Sequence, residues 1–321
     1  MTVSAERRTP PTSVLVMNPR SGDAKVSRFG LAERAEDMGV QVSLTTPDHD
    51  AASLARLAVA DRAEVLGVAG GDGTVAAVAA VAAAAGRPLV VVPAGTRNHF
   101  ARDLGLNIKN PVPALSALAD GEPARVDLGF VGGRVFVNNV SFGAYADALF
   151  EPGYREAKVR TIASIAPEYL GGQQWVDASV DTPDGTIESP QVVLISNNAY
   201  HIATPRYLGR RFALDTGLLG GIVLERPPAP PPDLLLHLRR ELRQPSMQGK
   251  SAPVTSWSAR RITVYGTAPQ LPAGIDGEPV TLSLPASCAI RPGALKLLLP
   301  KDRPGIPREP APPPWRPQEH R

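Results

Sequence analysis

Five residues, Gly70-Gly71-Asp72-Gly73-Thr74, have the types and spacing to hold an anion. Glycines let phosphate oxygens reach the main chain with no Cβ in the way. The run Glu64 to Ala69 before them is short and apolar, as a buried strand is. Val75 to Ala85 after them reads as a helix that ends at Gly86. A strand, a glycine turn and a helix bring unpaired backbone N–H groups and the positive end of a helix dipole to one point. No Gly-Lys-Ser/Thr follows, so this is not a Walker A loop, and the spacing is not the G-x-G-x-x-G of dinucleotide folds. An acid among the glycines is more than a phosphate cradle needs. Asp72 suits a carboxylate that meets a magnesium-bound nucleotide or a substrate hydroxyl. The plain alternative is a tight βα turn with no ligand.

The surrounding elements must bring other loops to the same place. Ser13 to Met17 is an apolar strand that ends in the turn-rich Asn18-Pro19-Arg20-Ser21-Gly22-Asp23. Lys25 to Met38 reads as an interrupted amphipathic helix stopped at Gly39. Val40 to Leu44 alternates as a second strand, followed by Thr45-Thr46-Pro47-Asp48 and a helix from Asp50 to Ala60. Pro88 to Val92 is a fourth strand, and Pro93-Ala94-Gly95-Thr96-Arg97-Asn98 follows it. Strands alternating with helices imply a mostly parallel sheet. Each loop follows the carboxyl end of a strand, where ligands bind in open α/β sheets. Asn18, Thr45, Asp72 and Thr96 are therefore expected to converge.

Length and composition bound the rest. A chain of 321 residues points to two domains. Hydrophobic content of 43% with 20% charged residues is that of a soluble globular protein. A net charge of +3 suits an anionic partner such as a nucleotide or an acidic membrane surface and does not indicate nucleic acid. The single Cys288 excludes an internal disulfide framework and any cysteine-rich metal site, and its apolar surroundings suggest a buried structural thiol. No stretch reaches the ~18 apolar residues of a membrane span. Met1 to Pro11 lacks the apolar core of a signal peptide, so a cytoplasmic location is expected.

From about Arg125 the texture changes. Arg134 to Ser141, Gln174 to Val180, Gln191 to Ser196, Gly220 to Glu225 and Arg261 to Tyr265 are strand-like, separated by turns such as Thr182-Pro183-Asp184-Gly185. Two helices are expected, Arg155 to Tyr169 and Asp233 to Arg243, the second after the prolines of 227–232. The fold class is thus α/β. A mostly parallel nucleotide-binding domain over 12–125 precedes a mainly antiparallel second domain over 126–300. The last strand, Ala294 to Leu299, fits either domain. The proline-rich tail 301–321 reads as disordered. There is no internal repeat.

Asn18-Pro19-Arg20-Ser21-Gly22, Gly70-Gly71-Asp72-Gly73-Thr74 and Pro93-Ala94-Gly95-Thr96-Arg97-Asn98-His99 occur in the order and spacing of the diacylglycerol kinase catalytic domain family. Asp276-Gly277-Glu278 matches a fourth element, and Val137 to Gly143 and Ser196 to Tyr200 resemble weaker ones. The chain resembles this family from Ser13 to Leu299. The glycine motif alone is shared with NAD kinases; the Pro-x-Gly-Thr-x-Asn loop and Asp-Gly-Glu favour the lipid kinase branch. The resemblance implies an ATP-dependent kinase with Mg2+ carried by ATP, and a β-sandwich-like second domain. It places Asn18, Ser21, Gly22, Thr46, Gly71, Asp72, Gly73, Thr74, Thr96 and Asn98 on the nucleotide, with Thr45 an equal candidate to Thr46. Phosphoryl transfer sets the acceptor hydroxyl against a carboxylate. Asp276 is assigned as that base and Glu278 as its partner or alternate, with Asp72 a rival. Asp-Gly is also a hairpin signal, so an ordinary turn is the plain alternative.

Two positions depart from the family. His99 stands where the family usually has Asp, so an acidic contact is lost or replaced. Thr216 stands where several bacterial members use an Asp to hold a structural magnesium; a hydroxyl is a poor substitute, and Asp215 could serve by a shift of one residue. The expected function is transfer of the ATP γ-phosphate to a hydroxyl of a diacylglycerol-like or sphingoid-like lipid. The alternatives are a kinase of a soluble substrate and a non-catalytic nucleotide- or lipid-binding homologue. Trp175, Tyr200 and Tyr207 are candidate liners of an apolar cleft. Arg206, Arg210 and Arg211 are a candidate patch for peripheral contact with the inner membrane surface. Oligomeric state is not legible. Deleting Asp302 to Arg321 should leave melting temperature and turnover nearly unchanged; loss of folding would show that the tail packs.

Overall fold

The segment Ser13–Met17 is buried at every position, which makes strand β1 a central strand rather than an edge. It belongs to a computed structural model that describes residues 13–143, 175–202, 209–225 and 254–304. The expected helices Arg155 to Tyr169 and Asp233 to Arg243, together with Arg206, Tyr207 and the tail beyond 304, lie outside the described residues. The chain divides into two units, Met1–Ala124 with Leu295–Gly305, and Arg125–Ala294 with Ile306–Arg321.

In the first unit, α1 (Lys25–Arg28) and α2 (Leu31–Asp37) follow β1. The break in this expected helix falls at Phe29-Gly30, where Gly30 takes φ +54°, a left-handed conformation that suits glycine. Then come β2 (Gln41–Leu44), α3 (Ala51–Ala60), β3 (Val65–Gly70), α4 (Asp72–Ala85) and β4 (Leu89–Pro93). α5 (His99–Asp103), a 3-10 turn at Val112–Ser116 and α6 (Ala117–Asp120) complete the run. β1 lies parallel to both β2 and β3, and β3 parallel to β4. β16 (Ala286–Leu299) adds a parallel neighbour to β4 through Leu297 opposite Leu89. β1, β3 and β4 are apolar nearly throughout because helices cover both faces of a parallel sheet. Leu15, Met17, Leu31, Ala35, Val90, Leu115 and Leu118 share one of its cores.

α4 starts at Asp72, three residues earlier than the apolar run indicates, with Gly71 as its cap. The glycine motif is therefore the first turn of a helix and not a free loop. Gly86, at φ +63°, ends it as the sequence suggests.

The second unit is mainly antiparallel, as expected. β7 (Asn139–Gly143), β10 (Val192–Asn197), β11 (Leu219–Leu224), β12 (Val254–Ala259), β14 (Gln270–Ile275) and β15 (Glu278–Ser283) form one sheet in the order β12-β11-β10-β7-β14-β15. The rest is built from β5 (Glu122–Val131) with β6 (Arg134–Phe136), and from β8 (Ser179–Thr182) and β9 (Gly185–Glu188) beside β13 (Arg261–Tyr265) and β16. The expected strand Arg134 to Ser141 is thus two strands, β6 and β7. Val140, Phe142, Ile195 and Val223 of the first group pack in one core with Val180, Ile262, Val264 and Cys288 of the second. Burial pushes the Cys288 thiol up to about 12, so it is a structural apolar group, as its surroundings suggest.

Asp127 of β5 is 1% exposed, and its carboxylate organises three segments of this unit. Oδ2 accepts from Asn198 Nδ2 at 2.8 Å and Gly217 N at 2.7 Å, and Oδ1 from Gly293 N at 2.8 Å. Removing it takes the acceptor from three donors, one on buried Asn198 and two on half-buried glycines. Asp127→Ala should lower the unfolding free energy by more than about 3 kcal/mol in urea titrations, since hydrogen bonds to charged groups are worth roughly 1.5–3 kcal/mol each. A loss below about 1 kcal/mol would mean that water replaces the carboxylate.

Candidate functional site

In the first unit, the loops after β1, β3 and β4 are joined by direct contacts. Asn18 donates its backbone N–H to Ala69 O at 2.9 Å, tying the end of β1 to β3. Its Oδ1 accepts from Arg20 N at 3.1 Å, an Asx turn that shapes the loop. Its Nδ2 donates to Thr74 Oγ1 in the first turn of α4 at a long 3.5 Å. Asn98 closes the loop after β4. Its Oδ1 accepts from Gly95 N at 2.8 Å, and its Nδ2 donates to Gly95 O at 2.7 Å. This double bond with one residue holds Asn98 in a left-handed conformation at φ +53°.

Glycine is required where these loops meet. A Cβ on Gly95 would stand 2.3 Å from Gly71 Cα, and one on Gly22 would stand 2.3 Å from Ala94 O. The loop after β1 packs on the loop after β4, and the loop after β4 on the loop after β3, by close backbone contact. Lys25, which sequence reasoning passed over, fastens the assembly. Its Nζ donates to Gly95 O at 3.0 Å and to Ile108 O at 2.9 Å. Burial pushes its ammonium down, Arg28 adds to this, and Asp23 opposes it.

Asp72 accepts from two backbone N–H groups, His99 N at 3.1 Å to Oδ2 and Phe100 N at 3.0 Å to Oδ1. These are the first residues of α5, so the motif acid holds the start of the next helix. The second loop is a different case. Thr46 Oγ1 accepts from His49 N at 3.1 Å, and helix α3 is capped instead by Asp50, which accepts from Ser53 N. Thr46 and Thr96 are exposed, while Ser21 is half-buried.

The Asp276-Gly277-Glu278 element is a two-residue hairpin between β14 and β15, with Ile275 opposite Glu278. Asp276 and Gly277 take φ +50° and +84°, positive at both turn positions, as Asp-Gly favours. The turn also presents a functional group. Asp276 Oδ2 accepts from Val137 N at 2.8 Å, and Oδ1 from Asn138 N at 2.7 Å and Asn139 N at 3.0 Å. Its own N–H donates to Asn139 O at 2.9 Å. Glu278 is exposed at the start of β15.

Other expected residues fall elsewhere. Arg211 is 1% exposed, so it is no part of a surface patch. Trp175 is exposed, and Tyr200 is half-buried with its hydroxyl accepting from Asn139 Nδ2 at 2.9 Å. Asp215 is exposed, and Thr216 Oγ1 accepts from Asn198 Nδ2 at 2.8 Å. Among the described residues no group of three or more His, Cys, Asp or Glu is placed to hold a metal. That donor set does not fit a protein-caged magnesium, whereas a magnesium held chiefly by nucleotide phosphates asks for only one or two carboxylates. In the first unit, the glycine-rich start of α4 is the kind of helix N-terminus that accepts an anion. No described helix is long and apolar enough to cross a membrane.

Residues 12–131 match the model of the diacylglycerol kinase catalytic domain, the family that the motifs resemble. It is 40% identical over 116 residues to the diacylglycerol kinase of Mycobacterium tuberculosis strain H37Rv, covering 35% of this chain and 38% of that protein. The chain thus spans well under half the length of that relative. It is 29% identical over 300 residues to the Pseudomonas aeruginosa strain PAO1 protein named probable lipid kinase YegS-like, covering 91% and 94% of the two chains. A diacylglycerol kinase crystal structure from Bacillus anthracis superposes with a TM-score of 0.63 over 90% of this chain and 97% of that one. At 17% identity that likeness shows the fold alone.

His99 gives the first unit a pH response. Burial pushes its imidazole below the usual 6.5; Asp72 pulls it up, and Arg102 and Arg97 push it down. Below pH 6.5 the unfolded chain binds a proton that the folded chain resists, so stability falls as pH drops from 6.5 toward the folded value. His201, also lowered by burial, acts in the same direction. His99→Gln should therefore flatten, but not abolish, the fall in urea midpoint between about pH 7 and pH 5. An unchanged slope would show that the imidazole is solvated.

Proposed function

We propose that this protein is an ATP-dependent lipid kinase that phosphorylates a hydroxyl of a diacylglycerol-like or sphingoid-like lipid. The observation that carries the reading is the set of three backbone N–H groups on Asp276. A hairpin needs no such set, but a carboxylate that must hold one direction does. The first unit supplies the nucleotide cradle from Asn18, Ser21, Gly22, Thr46, Gly71, Asp72, Gly73, Thr74, Thr96 and Asn98. The interlocked glycines favour a rigid loop set that needs little ordering when a polyphosphate binds.

In the reaction, the bond from the γ-phosphorus to the ADP oxygen breaks and a bond from that phosphorus to the lipid oxygen forms. The acceptor proton passes to the Asp276 carboxylate, and ADP leaves with the electron pair of the broken bond. Magnesium bound to ATP supplies charge neutralisation on the phosphates. Asp72 keeps the third and fourth loops in register, and Lys25 holds the fourth. Glu278 is the alternate base and Asp72 the second alternate. Asp215 is the residue on its loop that could meet a cation, because Thr216 is already engaged by Asn198. The lipid reading implies peripheral contact with a membrane surface.

The test is incubation of the full chain with labelled ATP, magnesium and a lipid extract, with products identified by mass. Label in a lipid-phase phosphate ester is expected. Label only in a water-soluble product would make the acceptor a polyol or nucleotide, and no ATP-dependent product with any acceptor would make the protein a binding homologue. Asp276→Asn should lower kcat by roughly 10²–10⁴-fold with ATP affinity retained. Asp72→Asn should also damage turnover, through the loosened start of α5. Parent turnover in Asp276→Asn would move the base to Glu278 or Asp72.

A further inference from the structure

Arg211 is among the largest fully buried side chains of the described residues. A guanidinium out of water is costly unless its donors are engaged, so what it holds is informative. Nη1 donates to Val137 O at 2.6 Å and to Asn197 O at 2.8 Å, and Nη2 donates to Asn138 Oδ1 at 2.6 Å. Its guanidinium carbon lies 5.5 Å from the centre of the Tyr200 ring, and the Tyr200 hydroxyl is bonded to Asn139. Every one of these contacts leads to Val137-Asn138-Asn139 or to the strand end beside it.

That tripeptide is the one whose three N–H groups hold the Asp276 carboxylate. The link is close. The carbonyl of Val137 and the N–H of Asn138 belong to one peptide group, with Arg211 on its oxygen and Asp276 on its nitrogen. A cation on a carbonyl polarises the peptide and strengthens its N–H as a donor. Arg211 and Asp276 thus grip opposite ends of one peptide group, and the planar fork of Arg211 spans acceptors that an ammonium cannot span together.

We propose that Arg211 is a positioning residue for Asp276: it fixes the Val137–Asn139 backbone so that its N–H groups aim the carboxylate at the acceptor hydroxyl. This rests on the reading of Asp276 as the proton acceptor. The effect belongs to the chemical step and not to nucleotide binding, because the cradle residues lie in the other unit.

A double-mutant cycle separates this from a merely structural role. Single-turnover rates at saturating ATP are measured for the parent, Asp276→Asn, Arg211→Lys and the double variant, with KM for ATP and melting temperature alongside. Arg211→Lys should lower the rate by roughly 10- to 100-fold in the parent, the range expected for a misplaced reacting group. In the Asp276→Asn background it should change the rate by less than about 3-fold, the gap being the coupling between the two. KM for ATP should not move. Effects that multiply, or parent turnover in Arg211→Lys, would overturn the assignment while leaving Asp276 as the base. Parent turnover in Asp276→Asn would instead remove the reading beneath it, and the Arg211 assignment with it. If Arg211→Lys does not fold, Asn138→Ala, which removes the Nη2 acceptor, runs through the same cycle with the same two outcomes.

Discussion

A backbone N–H turned out of its own ladder must find an acceptor, and in this chain aspartates supply it at the decisive places. Asp72 takes two N–H groups at the start of α5. Asp127 takes those of Gly217 and Gly293, and Asp276 takes three from the segment that leads into β7 and from its first residue. An ionised carboxylate can accept several bonds at once and makes each stronger than a neutral acceptor would. One side chain can therefore fix an irregular loop that has no strand partner. The motif acids thereby hold the backbone around them. The same bonds that hold the loop also fix the direction of the oxygen atoms.

The glycine contacts are the other half of this economy. Gly95 brings the loops after β3 and β4 together at a separation that a side chain on it would prevent, and Gly22 does the same for the loop after β1. The loops are set by short hydrogen bonds and by close backbone packing, with few apolar side chains involved. That is how a polar loop set can be rigid without a core of its own. The apolar strands below supply the core instead.

The first unit was largely legible in the sequence because its signals are local. Apolar runs mark β1, β3 and β4, and glycines mark the helix ends. The start of α4 was read three residues late because Asp72, Gly73 and Thr74 are weak helix formers whose place depends on the cap at Gly71. The hairpin at Asp276 was legible as a turn, and the structure has that turn. The partners of Asp276 were not legible. Val137 to Asn139 is well over a hundred residues away, and a backbone N–H leaves no trace in residue type. Arg211 was misread for a related reason: beside two other arginines it looks solvated, and only the carbonyls of Val137 and Asn197 explain why it is buried. Lys25 and Asp127 act through backbone groups likewise, and nothing in their neighbours announces it.

β5 and β16 each contain a boundary between the two units, and the end of β16 adds Leu297 beside Leu89 in the parallel sheet. The consequence concerns the order of synthesis. Residues 13–120 leave the ribosome first, yet the flank of β4 stays uncovered until the segment around Leu297 has emerged. Many α/β domains complete their sheets while later domains are still being made. Here the nascent first unit must wait for nearly the whole chain, with an apolar strand edge exposed meanwhile. An edge of that kind invites pairing with other chains. Closing so long a loop is also slow, because its entropy is lost before the contacts form. The cell's chaperones would therefore meet this protein as an unfinished sheet rather than as an unfolded chain.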